Sequence, residues 1–147
     1  CSFVGLTDDG QPAVVRTKGN RDTCVVLRGS YENGPNDADA SKAVEALAAA
    51  KLTEAVIIDA AHGNSGKTVS GQVAAISRIT GQLGTGACRG IMVESFLEEG
   101  RCGSKDEARG RGISVTDPCL GWQKTEEALY LLNEAARVAQ LPKRGDE

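Results

Sequence analysis

The sequence predicts an α/β fold: an N-terminal β-hairpin, then three strand–helix units around a parallel sheet. Three observations predict it. Short runs rich in Val and Ile alternate with longer segments of helical periodicity, the pattern of strands buried on both faces and joined by helices. An Asp9-Gly10 pair separates two N-terminal β-type runs and reads as a hairpin turn. Three strand-like runs each end in a potential metal ligand: Ala55–Asp59 leads to His62, Gly90–Val93 to Glu94, and Gly112–Thr116 to Asp117. Functional groups of α/β proteins collect at such strand ends, where loops and helix N-termini converge.

The elements follow in order. Ser2–Leu6 and Ala13–Thr17 form the hairpin. Cys24–Leu27 is a short buried strand ending at Arg28-Gly29, and Asn33–Asp37 is a loop. Asp39 to Leu52 is an amphipathic helix carrying Val44 and Leu47. The strand Ala55–Asp59 runs into the loop His62-Gly-Asn-Ser-Gly. A helix then spans Lys67–Leu83, with Val69, Val73, Ile76 and Leu83 on one face. Gly90–Val93 is the next strand, and the charged, glycine-containing stretch from Phe96 to Gly112 reads as a mobile loop. Thr125 with Glu126 and Glu127 reads as an N-cap and acidic first turn. Its helix reaches about Gln140 and packs through Leu129, Leu132, Ala136 and Val138. The tail from Pro142 reads as frayed.

Composition narrows the class. The chain has 147 residues, 40% apolar and 25% charged, enough for one domain with a real core. Aromatics make up 3%, so that core is built from Ala, Val, Leu and Ile. A net charge of −3 with no basic block argues against nucleic acid as a partner. No apolar run approaches the roughly 20 residues that span a bilayer, and the first residues do not read as a signal peptide. Five cysteines, an odd number with no CxxC pair, argue against a disulfide framework and a cysteine-rich zinc site. They read as reduced, mostly buried thiols of a cytoplasmic protein.

His62, the only histidine, together with Glu94 and Asp117 offers one imidazole nitrogen and two carboxylates. That donor set suits Mn²⁺, Fe²⁺, Co²⁺ or Zn²⁺. Each residue also has a plainer reading. His62 suits an ordinary loop, Glu94 a helix cap or an arginine partner, and Asp117 turn chemistry before Pro118. Arg28, at the end of the first buried strand, is a candidate clamp for a phosphate or carboxylate, or a surface partner. Ala61–Thr68 resembles a phosphate-cradling loop, but Ala stands at position 61 where that pattern needs Gly. The milder reading is a tight turn at Gly63 and Gly66, with Lys67 opening the helix.

Val26-Leu-Arg-Gly29, Ile58-Asp-Ala-Ala-His-Gly-Asn-Ser65, Met92-Val-Glu-Ser95 and Ser114-Val-Thr-Asp-Pro-Cys-Leu-Gly-Trp122 resemble consecutive motifs of the class I DAHP synthases. The resemblance implies a fold of part of a TIM-like (β/α)8 barrel: the hairpin that such synthases insert before their sixth barrel strand, then the last three βα units. It implies a single truncated DAHP-synthase-like domain over residues 1–147. It also implies a divalent metal held by His62, Glu94 and Asp117, and contact of Arg28 with the phosphate of phosphoenolpyruvate. Family motifs for a fourth, cysteine ligand and for lysine- and arginine-based substrate binding have no counterpart in the chain. Cys1 falls at the start of the hairpin, and Ala60-Ala61 replaces a bulkier, more polar pair.

Two functions are compatible with this. One is a metal-dependent enzyme of transferase or lyase type, recruited to secondary metabolism, that uses its metal as a Lewis acid on a small oxygen-rich substrate. The other is the C-terminal part of a DAHP synthase, inactive alone. In either case the partial barrel is expected to be completed by association, as a homodimer or higher homo-oligomer.

Overall fold

Three of the Val- and Ile-rich runs form one parallel sheet in the computed structural model, which describes residues 1–20, 22–83 and 86–138. β1 (Ser2–Leu6) and β2 (Pro12–Arg16) come first, as an antiparallel hairpin with Phe3 opposite Val15 and Val4 opposite Val14. Gly10, with φ of 81°, closes the turn and donates its N–H to the carbonyl of Thr7. β3 (Val25–Leu27), β4 (Val56–Asp59) and β5 (Gly90–Met92) follow in the spatial order β3-β4-β5. Val25 pairs with Val56, and Ile57 with Gly90. α1 (Ala40–Ala49) links β3 to β4, and α2 (Val69–Leu83) links β4 to β5. α3 (Lys105–Ala108) is a single turn, and α4 (Trp122–Val138) closes the described chain.

The core lies between the sheet and its helices. Val56 and Ile58 of the central strand meet Ala75, Ile76 and Ile79 of α2, with Leu120 and Ala128 beside them. Burying a large aliphatic side chain contributes roughly 1.5–3 kcal/mol, so β4 and α2 anchor the fold.

Several expectations need correction. Gly112–Thr116 is not a strand. It forms only an isolated bridge from Ser114 to Arg101, and the backbone bends ahead of Pro118. Cys24–Leu27 is not a buried strand, because β3 is the open edge of the sheet and only Leu27 is buried. Thr125 does not cap α4. The helix begins at Trp122, no acidic residue lies in its first turn, and the Thr125 hydroxyl donates back to the Gly121 carbonyl. Its packing face is also shifted, to Ala128, Leu132 and Ala135, while Leu129 and Val138 are exposed. Val73 likewise points outward from α2.

The stretch from Phe96 to Gly112 carries α3 and is pinned by backbone bonds from Glu98 to Gly112 and between Gly100 and Cys119. The cysteines are free among the described residues, but only Cys88 and Cys119 are buried. The expected helix end at Gln140 and the frayed tail lie outside the described residues.

Candidate metal centre

The strand ends are drawn together by two glycines. Gly29 follows β3 with φ of 64°, and a Cβ there would lie 2.8 Å from the backbone nitrogen of Asn64. A Cβ on Gly63 would collide with the backbone of Gly29 and Ser30. The loop after β3 therefore lies directly on the loop after β4. Asn64, buried between them, locks the contact. Its amide donates to the carbonyls of Leu27 (2.9 Å) and Asp59 (2.8 Å), and its Oδ1 accepts from the N–H of Asn36 (2.8 Å).

β4 ends in Asp59, a fully buried carboxylate. Its Oδ1 accepts from the N–H groups of Ala61 (2.8 Å) and His62 (3.2 Å), and its Oδ2 lies 2.7 Å from His62 Nδ1. A carboxylate only accepts, so Nδ1 carries the hydrogen, which leaves Nε2 as the ring nitrogen able to ligate a metal. Nε2 lies 3.8 Å from Glu94 Oε1. Arg28 reaches the same Asp59, with Nε 3.8 Å from Oδ2 and a side chain that is mostly exposed. It therefore stands beside the cluster rather than in it.

Glu94 follows β5. Its N–H donates to Oε1 of the fully buried Gln72 on α2 (2.6 Å), and its carbonyl accepts from Leu120 (2.8 Å). Ser95 bridges in parallel to Leu120, and its hydroxyl shares a 2.6 Å hydrogen bond with Thr125 on α4. These contacts lay the segment 117–120 along the continuation of β5 and bring Asp117 beside Glu94. Lys67 completes the geometry, with Nζ 2.9 Å from Asp117 Oδ1. That hydrogen bond holds the Asp117 carboxyl below its ordinary value and the Lys67 ammonium above its own.

His62, Glu94 and Asp117 each offer one ligand atom, and these atoms all lie within 4.8 Å of one another. Ligands bound at about 2.1 Å around one ion stand roughly 3–4 Å apart. Small side-chain shifts therefore close the set, and a nitrogen with two carboxylate oxygens fits a divalent cation. Cys119 adjoins the set, with Sγ 3.9 Å from Glu94 Oε2. Burial pushes its thiol up, and the charges of Glu94 and Asp117 push the same way, against a hydrogen bond with Ser114 that lowers it. A cleft of about 690 Å³ opens beside Glu94 and Cys119, walled by Phe96, Ile113 and Thr116.

The structure thus brings together the three expected ligands and sets Arg28 one residue away, through Asp59. Sequence reasoning missed Asp59, Asn64, Gln72 and Lys67. A carboxylate three positions before a candidate histidine ligand was a usable signal for Asp59. Lys67 does not open α2, which starts at Val69; φ of 55° turns it instead toward Asp117.

The chain is similar to known proteins in sequence and in fold. A family model for the DAHP synthetase I family matches residues 2–130. The Trp-sensitive phospho-2-dehydro-3-deoxyheptonate aldolase of Enterobacter agglomerans is 40% identical over 139 residues, covering 91% of this chain and 40% of that protein. The tyrosine-inhibited enzyme of Schizosaccharomyces pombe is 38% identical over 93% of this chain and 39% of its own length. The solved structure of the Francisella tularensis aldolase superposes with a TM-score of 0.85 at 33% identity, covering 96% of this chain and 42% of that one. The chain spans about 40% of the length of these relatives. On the match of residues 2–130, the chain belongs to the DAHP synthetase I family.

Proposed function

We propose that this chain is the C-terminal, metal-ligating part of a DAHP synthase barrel, serving the condensation of phosphoenolpyruvate with erythrose 4-phosphate and inactive without the rest of the barrel. The observation that carries this is the convergence of His62, Glu94 and Asp117 within 4.8 Å, at one end of a sheet whose outer strand β3 has, among the described residues, no strand on its outer side. The span of about 40% of each relative supports it over a self-sufficient enzyme recruited to secondary metabolism.

Each residue has a part in this reading. Asp59 fixes the His62 ring, leaving Nε2 as the donor, and Glu94 and Asp117 supply anionic oxygens. A divalent metal bound there supplies Lewis-acid polarisation of a carbonyl oxygen. The exposed guanidinium of Arg28 matches the phosphate of phosphoenolpyruvate bidentately. A single arginine holds so highly charged a substrate weakly, and the remaining binding groups are expected from the complementary barrel portion.

The test is heptulosonate formation with added Mn²⁺, by the chain alone and by the chain co-expressed with the N-terminal portion of a relative. Product only in the second case is the expected result. Turnover by the chain alone in the ordinary range of about 1–10³ s⁻¹ would overturn the proposal.

A further inference from the structure

Lys67 is bonded to two of the three candidate ligand residues. Its backbone N–H donates to the carbonyl of His62 (3.2 Å) and to Ser65 Oγ (3.1 Å), and its side chain reaches Asp117 across 50 positions of sequence. It does so from a conformation that side-chain-bearing residues seldom adopt, φ of 55°, directly after Gly66 with φ of 61°. Such a backbone persists where its surroundings enforce it, and residues held this way gather at functional sites.

The backbone around Asp117 is bent and is carried by its neighbours, through the Leu120 N–H on Glu94 and Arg101 on the Thr116 carbonyl. Among the described residues, the carboxylate itself is held by Lys67, whereas His62 is fixed by Asp59, and Glu94 by Gln72 and Leu120. The ion pair is also partly shielded, with the Lys67 side chain 36% and the Asp117 side chain 28% exposed.

We propose that Lys67 is a positioning residue of this site: its ammonium holds the Asp117 carboxylate against His62 and Glu94, and so sets the affinity for a divalent cation. This rests on the reading of those three residues as ligands. Two effects oppose each other. The ammonium repels a cation, but it also orders a ligand that otherwise swings with its loop. In a site open to water, solvent screens the repulsion, and the ordering dominates.

The test is Mn²⁺ affinity by titration calorimetry, with hydrogen exchange of amides 113–117, on wild type, Lys67→Met, Lys67→Arg and Asp117→Asn. Lys67→Met is expected to weaken Mn²⁺ binding about tenfold, at the low end for loss of a group that orients a ligand. It is also expected to speed exchange in that segment. Lys67→Arg, which keeps charge and donor, restores both, and circular dichroism verifies that each variant is folded. Equal or tighter binding by a folded Lys67→Met overturns the proposal. Wild type that binds no Mn²⁺ overturns the ligand reading itself, and the proposal with it. Faster exchange with unchanged affinity assigns Lys67 to the loop alone and overturns its role toward the metal.

Discussion

Asp59 does more for the candidate centre than any residue the sequence singled out except His62. It accepts three hydrogen bonds, two from backbone and one from the imidazole, and it draws Arg28 to the same place. Asp59→Asn keeps the shape but replaces one acceptor oxygen with a donor. Mn²⁺ affinity is expected to fall by 10- to 100-fold, the usual loss when a histidine ligand is no longer oriented; calorimetry checks it. The pair Lys67–Asp117 sets a pH window. Asp117 is lowered from 3.8, so its contribution is present above the ordinary carboxylate value and lost as pH falls through the lowered one. Lys67 is raised from 10.5, so its contribution is complete below that value and lost as pH rises through the raised one. The difference in Tm between wild type and Asp117→Asn is therefore expected to be largest between the ordinary carboxylate and lysine values, and to close as acid takes the pH through the lowered Asp117 value. Thermal melts across that range measure it.

At the scale of elements, the ends of β3 and β4 work as one unit because Asn64 joins them. Asn64→Ala removes the side-chain donor from two carbonyls and the acceptor from one backbone N–H. Each costs about 1–3 kcal/mol if left unsatisfied, so denaturant unfolding is expected to show a loss of at least about 2 kcal/mol. The strands and helices that carry the core were legible in the sequence. Val56–Asp59 and Val69–Leu83 combine the right period with burial. The misread elements are those decided by tertiary context. Gly112–Thr116 has strand composition but no neighbour to pair with continuously. Thr125 looks like a cap, yet its hydroxyl is taken by Ser95 and Gly121 inside the helix. The three candidate ligands were legible because each follows an apolar run. Gln72 and Lys67 were not, since one is a polar residue buried by the approach of β5 and the other depends on a left-handed backbone that no local pattern announces.

The whole molecule leaves apolar surface uncovered. β3 exposes Val25 and Val26 at its free edge, and the hairpin exposes Phe3, Val4, Leu6 and Val14. Unpaired edges and apolar patches of this kind associate with other chains. Light scattering at micromolar concentration is expected to show a dimer or larger species; a well-behaved 15.3 kDa particle would contradict this. Among the described residues, no helix is long and apolar enough to cross a membrane.

Metal content tests directly whether His62, Glu94 and Asp117 act as one ligand set. Elemental analysis after dialysis against Mn²⁺ should find about one equivalent in wild type and little in His62→Ala, because loss of the single nitrogen donor leaves only two carboxylates. Equal metal content in the two proteins would contradict it.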